Sequence, residues 1–555
     1  MVDRAEKNTG KAFLSGVLLL SFSTVLVKII GLIYKIPMLT YLGSVGMGYF
    51  NSAYEIYALF CVISTAGLPV ALSVLISGAL ARGESARVRQ IYRASMAVFV
   101  AVGLLGTLVM LLFSERFCEL IRSEHARGCI LAISPTVFFV CVSSALRGYF
   151  QGYQRMLPTA LSQILESAGK LVFGLLLARY ALARGYDTPT VAAFAGAGLT
   201  VGTAVSFVYL VIEKLRFSHK EEQPTEPSSN GQDGTLCIWH SLARLAIPMT
   251  LGASLVSLTK LIDMTMILRR LQSIGYSEVL ANAAYGSYTT LALSVYGLLP
   301  ALVNAIALPL VPMLSAAIAS GDRTRQAEMI RGSYQLTSLF AIPASLGVAA
   351  YARPILLLLF RRDHEAVQIA APLLSYLSTS VFLSCMITAT NSVLHAYQAV
   401  KRPILSMLGG AAVKVLSAYL LIGSPQIALL GAPISTLLCN AAVVLLNLAF
   451  AASLCRVPRL GGVFWRPLLA ATLAVGGSWA IYAGILLPNG GEGTLATALA
   501  ILLTVGFYLF FAILTGAVSA ELITMLPMGD RICRILQKLR LLDDPIPTQK
   551  KGLIK

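Results

Sequence analysis

The chain has 555 residues, of which 57% are hydrophobic and only 12% are charged, and its mean hydropathy is +0.77. A soluble protein is about 45–50% apolar and about 25% charged. Composition therefore predicts a membrane protein and excludes a disordered chain, a coiled coil and a secreted disulfide-linked domain. The nine cysteines contain no CxxC pair, so they predict neither a disulfide framework nor a zinc site.

Apolar windows long enough to cross a bilayer follow one another along the chain. A span takes about 20 predominantly apolar residues. Windows of that kind lie at approximately 12–36, 50–80, 94–113, 128–149, 157–180, 190–213, 243–267, 283–318, 333–359, 369–394, 403–422, 427–451, 466–487 and 495–517. The sequence thus predicts an all-α integral membrane protein with about fourteen transmembrane helices.

Most of the 43 Lys and Arg residues lie in alternate loops, including the one that carries Arg147 and Arg155. The positive-inside rule assigns those loops, and with them both termini, to the cytoplasm. The basic amphipathic tail, 519–555, is expected to lie against anionic headgroups. The net charge of +18 is therefore interpreted as topology, and no nucleic-acid partner is expected.

An internal repeat relates the two halves of the chain. A shift of 238 residues lays 77–95 over 315–333, with Gly83 on Gly321 and Arg87 on Arg325, and a weaker echo pairs 149–158 with 396–403. Each half holds about six helices, an even number, so the repeats are expected to be parallel, as two lobes around a central cavity. The last two spans fall outside the repeat.

These observations predict five segments, with a polar interval at 219–234 marking the connection between the lobes. The segments are an N-lobe at 1–213, a cytoplasmic linker at 214–242, a C-lobe at 243–452, helices thirteen and fourteen at 453–518, and the tail at 519–555.

Helix-breaking residues occur at matching places in the two halves. The second helix of the first half contains Gly67 and Pro69, and that of the second contains Gly297 and Pro300. Interrupted helices at corresponding positions mark the binding site in many transporters. An ordinary kink, accommodated by neighbouring helices, is the alternative interpretation.

Eight ionisable residues fall inside predicted spans, where each costs at least about 2.5–3.5 kcal/mol unless it faces a cavity or a partner. Glu166 and Lys170 can pair at i, i+4, and Lys260 and Asp263 at i, i+3. Internal neutralisation of such pairs, or snorkelling of Lys35, is the alternative to a binding role. As five cations and three acids, the set predicts a cavity that attracts an anion such as a phosphate. The set is Lys28, Lys35, Glu55, Glu166, Lys170, Lys260, Asp263 and Lys414.

The chain lacks the sequence motifs that are typical of several kinds of catalysis. It lacks GxxxxGK[ST], so ATP hydrolysis is not expected, and its five histidines form no recognisable metal or triad pattern. No enzyme and no cofactor are predicted, apart from a coupling ion of unknown identity. An integral-membrane transferase with its site in short loops is the alternative that composition leaves open.

Three segments resemble a known family: 27–57, 64–77 and 146–167, the last reading LRGYFQGYQRMLPTALSQILES. They are similar to the stage V sporulation protein B and polysaccharide-biosynthesis family. That family belongs to the multidrug/oligosaccharidyl-lipid/polysaccharide (MOP) exporter superfamily, which also contains the MurJ-type lipid II flippases. The resemblance covers nearly the whole chain.

The resemblance implies a monomeric flippase of the bacterial cytoplasmic membrane. It would move an undecaprenyl-pyrophosphate-linked saccharide, for instance a peptidoglycan precursor, by alternating access driven by the membrane potential or an ion gradient. Lys28 would contact the central cavity, and the last two helices would form a groove for the lipid tail. The chain departs from the MurJ pattern of several arginines and an acid in the first two helices, and offers Lys35 and Glu55 instead.

Roles follow for the eight charged residues under this hypothesis. Lys28, Lys170, Lys260 and Lys414 are expected to meet pyrophosphate, and the three acids to tune or couple the site. The alternative function is a cation-coupled multidrug exporter of the same superfamily. Such a pore should present acids and aromatic residues rather than lysines.

Overall fold

The structure is a computed structural model that describes residues 2–221, 234–307, 314–315, 317–318, 320–399, 401–455, 461–486 and 494–518. Throughout these residues the regular structure is helical and no strand occurs. A helix satisfies its backbone hydrogen bonds internally, which is what an apolar chain needs in hydrocarbon. The predicted all-α class is confirmed.

The α-helices of the described residues are numbered here in chain order. They are α1 Val2–Thr65, α2 Leu68–Ala81, α3 Ser85–Leu112, α4 Ser114–Ile121, α5 Arg127–Gly152, α6 Met156–Ala183, α7 Thr188–Glu221, α8 Thr235–Ser273, α9 Glu278–Ser287, α10 Leu293–Ala307, α11 Arg323–Ala350, α12 Ala352–Leu359, α13 His364–Ala396, α14 Lys401–Ile422, α15 Gly431–Ala452, α16 Gly461–Ile481 and α17 Thr494–Leu514. A π-helical turn, Tyr288–Ala292, joins α9 to α10.

The predicted count of fourteen spans is not confirmed. In the described part of the chain, 11 helical stretches are long and apolar enough to cross a membrane, or 12 if α11 and α12, bent by 79°, form one span. One difference arises because α1 and α2 together form a single stretch, Phe22–Ala81. Another arises because the predicted span 283–318 is divided by the π-turn and continues into 308–313, outside the described residues.

Helix α1 bends at Gly43, where the backbone leaves the helical region (φ 63°, ψ 178°). Only glycine adopts this conformation at low cost. The bend separates the parts of α1 that the sequence predicts as the first and second spans. Consequently, one long apolar helix supplies two segments with different directions.

The predicted repeat is visible in the helix boundaries. Helices α3 and α4 recur as α11 and α12 at a constant offset of 238 residues, to the residue at both ends. The joints between them match as well, with φ −100° and ψ 16° at Phe113 against φ −100° and ψ 22° at Tyr351. Gly83 and Gly321, which the repeat pairs, both turn the chain with a left-handed backbone (φ 73° and 71°).

The weaker echo has a structural counterpart too. Tyr153 and Tyr397 come directly after α5 and α13, and each is followed by a glutamine in the left-handed region, Gln154 with φ 57° and Gln398 with φ 58°. A left-handed non-glycine residue is uncommon, so its recurrence at paired positions supports the alignment. The small insertion needed to align them falls in the longer helix α13.

Contacts divide the chain into two compact units, of which unit 1 comprises Met1–Thr290 and Ala418–Ala432. Within unit 1, glycines bring α6 and α7 together. A Cβ on Gly169 would lie 2.7 Å from the Cα of Gly202, and one on Gly198 would collide with the backbone of Gly174. Small residues allow close helix packing in membranes, and this packing fixes the segment of α6 that carries Glu166 and Lys170.

Helices extend into both ends of the predicted linker, 214–242. Helix α7 continues to Glu221 and α8 begins at Thr235, while 222–233 lies outside the described residues. Helices α8 and α9 belong to unit 1. The division into lobes at 1–213 and 243–452 stays a prediction, as does the tail at 519–555, which lies outside the described residues.

Unit 2 comprises Leu291–Ser417 and Pro433–Lys555. Its last two helices attach to α11 and α12 through buried hydroxyl groups. The hydroxyl of Tyr351 lies 2.8 Å from Ser478 Oγ, which is 2.6 Å from Thr504 Oγ1, and Tyr508 donates to the Leu339 carbonyl at 2.6 Å. Helices α16 and α17 are therefore packed against α11 and α12 within unit 2.

Candidate functional site

Three charged side chains meet inside unit 1, on helices α5 and α6. The carboxylate of Glu166 accepts a hydrogen bond from Lys170 Nζ at 2.6 Å on one oxygen and from Arg147 Nη2 at 2.8 Å on the other. The side chains of Arg147, Glu166 and Lys170 are 12%, 13% and 20% exposed. The pairing of Glu166 with Lys170 is thus present, but it is part of a triad with one excess positive charge.

The arginine of this triad is held by two serines as well as by the acid. Arg147 Nε donates to Ser162 Oγ at 2.9 Å, and Nη2 also reaches Ser206 Oγ at 3.3 Å. These serines lie on α6 and α7, whose glycine contacts fix their separation. Because a planar guanidinium needs several acceptors in fixed directions, the three helices together determine its position.

A second group of charges lies on α1 and α8. Glu55 interacts electrostatically with Lys260, Lys35 and, as a like charge, with Asp263. Lys28 interacts with Lys260, also as a like charge. Lys28 and Lys260 are exposed, whereas Lys35 and Glu55 are half-buried. The structure therefore brings together the predicted site residues of the first, second and seventh predicted spans.

Tyr54 links the two groups electrostatically, since its phenol interacts with Glu55 of one group and with Lys170 and Glu166 of the other. The groups therefore form one set, here called the first-unit charge cluster. It has five cations and three acids and contains seven of the eight predicted residues. Its members are Lys28, Lys35, Glu55, Arg147, Glu166, Lys170, Lys260 and Asp263.

The cluster is connected to the π-turn that precedes α10. Lys35 Nζ donates to the carbonyl oxygen of Thr289 at 3.3 Å, and the buried amide of Asn51 donates to Thr289 Oγ1 at 2.8 Å and Thr290 Oγ1 at 2.9 Å. A π-turn alters the i→i−4 pattern of a helix and is frequent at functional sites. The side chains of Lys35 and Asn51, both on α1, bind Thr289 and Thr290 of this π-turn. Lys35 is also a member of the cluster.

The predicted helix breaks lie in different environments. Gly67 stands between α1 and α2, with Pro69 in the first turn of α2, where a missing N–H costs no helical bond. Gly297 and Pro300 lie inside the continuous helix α10. The helix is interrupted before these two residues, at the π-turn Tyr288–Ala292. Thr289 and Thr290, which are bound by Asn51, stabilise that turn.

Gly67 has a packing reason for lacking a side chain, and this leads to a test. A Cβ at Gly67 would collide with the Ala246 carbonyl and Thr250 Oγ1, whereas one at Gly297 would meet nothing within 4 Å. We expect Gly67→Ala to destabilise the protein by about 1–3 kcal/mol and so to lower its unfolding temperature. Gly297→Ala should leave the unfolding temperature unchanged or raise it. Thermal unfolding in detergent measures both. If the two variants unfolded alike, the contact with α8 would not be what requires glycine.

Lys414, the remaining predicted residue, lies in unit 2 and donates to Thr436 Oγ1 at 3.2 Å. Elsewhere in unit 2, side-chain amides bond to hydroxyl and amide groups. Asn440 donates to Ser380 Oγ at 2.7 Å, and Asn447 donates to Thr390 Oγ1 at 3.0 Å and Asn391 Oδ1 at 2.8 Å. Lys414 therefore has an uncharged hydroxyl group among its partners.

Sequence reasoning missed two residues of this arrangement. The basic pattern predicts a cytoplasmic loop around Arg147, yet α5 continues to Gly152 and keeps the guanidinium of Arg147 inside the helix packing. The position of Arg147 inside the apolar window 128–149 is the sequence feature that indicates a place within the helix. Asn51 is uncharged and gave no signal, because its partners Thr289 and Thr290 are far away in sequence.

A comparison with protein families identifies the chain. The sequence pattern of the family described as polysaccharide biosynthesis protein matches residues 13–318, more than half of the chain. The chain belongs to this family. The resemblance found in the sequence is confirmed.

Two relatives of this chain come from Bacillus subtilis (strain 168). The lipid II flippase MurJ is 24% identical over 417 residues, which cover 72% of this chain and 76% of MurJ. Stage V sporulation protein B is 24% identical over 459 residues, which cover 80% of this chain and 84% of the relative. These proteins are similar to the chain over most of their lengths.

Solved structures establish the fold. The inward closed conformation of the lipid II flippase MurJ has a TM-score of 0.68 at 15% identity, with 89% of this chain and 98% of that chain covered. The inward-facing multidrug resistance MATE transporter of the MOP superfamily has a TM-score of 0.56 at 14% identity, covering 77% and 97%. The family member is thus a multi-pass membrane protein with the fold of the MOP flippases and transporters.

Proposed function

We propose that this family member is a flippase that moves a saccharide linked through pyrophosphate to a polyprenyl lipid, such as undecaprenyl, across the cytoplasmic membrane. The first-unit charge cluster is the observation that carries this proposal. Ionisable groups at membrane depth are costly and mark substrate or ion pathways. The name of the relative MurJ, a lipid II flippase, indicates the same class of substrate.

The charge balance of the cluster favours an anionic substrate. Five cations against three acids leave a net positive charge, and the triad on its own contributes one unit of it. A pyrophosphate group carries several anionic oxygens that accept charge-assisted hydrogen bonds from lysine and arginine. A cationic drug would be repelled by the same set, so the multidrug exporter is the less supported alternative.

Within the cluster, the structure favours different roles for different lysines. Lys170 already donates to Glu166, and Lys35 to Thr289, whereas Lys28 and Lys260 are exposed and interact with each other as like charges. Two like charges close together are stabilised by an anion between them. We therefore assign the first contact with pyrophosphate to Lys28 and Lys260, and a tuning role to Glu55 and Asp263.

Transport itself is proposed to follow alternating access, with both termini on the cytoplasmic side as the basic loops indicate. Membrane potential or an ion gradient would drive it. Lys414 remains a proposed further contact of the substrate, and the groove for the lipid tail on α16 and α17 remains a proposal as well.

Charge removal at the two exposed lysines tests the function. We expect Lys28→Gln and Lys260→Gln each to lower translocation of a fluorescent undecaprenyl-pyrophosphate saccharide in proteoliposomes by at least about tenfold. The reason is that a hydrogen bond to a charged group contributes about 1.5–3 kcal/mol. The measurement is the initial rate at which label becomes accessible to a membrane-impermeant quencher.

Two controls make the result specific. Lys28→Arg and Lys260→Arg keep the charge and should retain most of the rate. Lys401→Gln removes an exposed lysine at the start of α14, outside the cluster, and should leave the rate unchanged. Unaltered translocation by folded Lys28→Gln and Lys260→Gln protein would contradict the proposal.

A further inference from the structure

A cavity lies between the first turns of α3 and α8, both in unit 1 and apart from the first-unit charge cluster. Its volume is about 630 Å³, and its lining includes Arg89, Arg93, Ala94, Ala97, Thr235 and Trp239. Ligand pockets commonly have volumes of about 300–1,000 Å³. The space is therefore large enough for a phosphate ester with its nearest substituents.

Two arginines supply the polar side of this cavity. Arg89 and Arg93 are four residues apart on α3, so they share one face of the helix, and both are exposed. The nearby acid Glu84 is already bound by Arg82 at 3.0 Å and Arg87 at 3.4 Å. Two guanidinium groups on one helix face form a fork of donors that suits a phosphate.

Thr235 and Trp239 line the cavity from α8, and a hydrogen bond holds the tryptophan in place. The indole of Trp239 donates from Nε1 to the Ala94 carbonyl at 2.9 Å, which attaches α8 to α3, while 41% of the side chain stays exposed. Ala94 and Ala97, on the same helix as the two arginines, add apolar surface to the lining. Tryptophan is typical of the membrane–water interface, and basic pockets between transmembrane helices bind anionic lipid headgroups.

The internal repeat indicates that the fold does not require an arginine at the position of Arg89. At the constant offset of 238 residues, Arg89 corresponds to Ala327 and Gln90 to Glu328 on α11, whereas Arg93 corresponds to Arg331. The same helix in unit 2 therefore forms without the arginine pair and with an acid next to it. A structural role common to both helices does not explain Arg89.

We propose that this cavity binds the phosphate group of an anionic phospholipid, with Arg89 and Arg93 on the phosphate and Trp239, Ala94 and Ala97 against the adjoining apolar part. The mixed lining distinguishes a lipid from free phosphate, which has no apolar part to place. This site is separate from the translocated substrate. It gives the bilayer a specific contact at the joint between α3 and α8.

Fluorescence of Trp239 tests the proposal in the full-length protein. In Trp465→Phe/Trp479→Phe protein, Trp239 is the single tryptophan. In nanodiscs we expect brominated phosphatidylglycerol to quench it more strongly than brominated phosphatidylcholine at the same mole fraction. Arg89→Gln and Arg93→Gln should each weaken the apparent affinity for phosphatidylglycerol about fivefold, since a basic residue near an anionic surface contributes about a factor of that size.

Matched variants and a second ligand separate the possible outcomes. Arg331→Gln, the equivalent of Arg93 in unit 2, should leave the quenching unchanged, and Arg89→Lys/Arg93→Lys should retain the preference for phosphatidylglycerol. Inorganic phosphate added to the protein in neutral detergent should change the fluorescence little. Equal quenching by the two lipids, a preference that survives Arg89→Gln/Arg93→Gln, or saturable binding of inorganic phosphate alone would overturn the proposal.

Discussion

Replacing Glu166 by glutamine is expected to destabilise the protein by about 3–5 kcal/mol, the cost of leaving buried charges without their partner. Glu166 is the only carboxylate that the described residues show in contact with both Arg147 and Lys170. Its removal leaves two cations close to each other in a site that is nearly closed to water. Like charges in such a site repel strongly because the surroundings screen them weakly.

The order of the variants is more informative than the size of one effect. Arg147→Gln leaves the Glu166–Lys170 pair neutral, so it should cost less than Glu166→Gln. Lys170→Gln leaves Arg147 on Glu166 with its two serine acceptors, and should cost least. Thermal unfolding in detergent, together with the yield of monodisperse protein, measures the series. If Arg147→Gln were the most damaging variant, packing of the guanidinium rather than charge balance would explain the triad.

This triad also affects the proposed function, because it determines how much positive charge the cluster offers. Glu166 neutralises one of two adjacent cations, so α5 and α6 contribute one positive unit instead of two. A site with too much positive charge would hold pyrophosphate too tightly to release it. Under the proposed function, the acid would balance binding against release, and its removal is expected to affect transport even in the fraction of protein that folds.

Local patterns predicted a large part of this molecule. The offset of 238 residues, read from Gly83 and Gly321 and the residues around them, gives the boundaries of α11 and α12 once α3 and α4 are known. The pairing of Glu166 with Lys170 follows from helical spacing. These features depend on residues close together in sequence or on a comparison of the chain with itself.

What the sequence did not show depends on contacts between distant helices. Arg147 was placed in a loop because a basic residue near the end of a span suggests topology, and only the neighbouring serines of α6 and α7 show otherwise. The π-turn had no visible signal, since the residue that binds it, Asn51, lies on α1. Hydropathy cannot reveal a partner that is more than 200 positions away.

The contact between α1 and α9 gives the second large expected effect. Gly48 and Gly286 lie where the two backbones are in close contact. A Cβ on Gly48 would collide with the Asn282 carbonyl, and one on Gly286 would collide with the Ser44 carbonyl. Small residues at such spacings let membrane helices pack backbone to backbone. The same contact brings Asn51 within 2.8 Å of Thr289 Oγ1 and so sustains the π-turn.

We therefore expect Gly48→Ala and Gly286→Ala each to destabilise the protein by about 3 kcal/mol, at the upper end for overpacking, because the colliding atoms are backbone and cannot rotate away. Translocation should fall as well, since separating the helices lengthens the bonds from Asn51 to the π-turn. Gly31→Ala is the matched control, because Gly31 lies on α1 and a Cβ there meets nothing within 4 Å. Unfolding temperatures and initial translocation rates of the three variants check this result. If Gly48→Ala and Gly286→Ala behaved like Gly31→Ala in both measurements, the close approach of α1 to α9 would have no part in stability or transport.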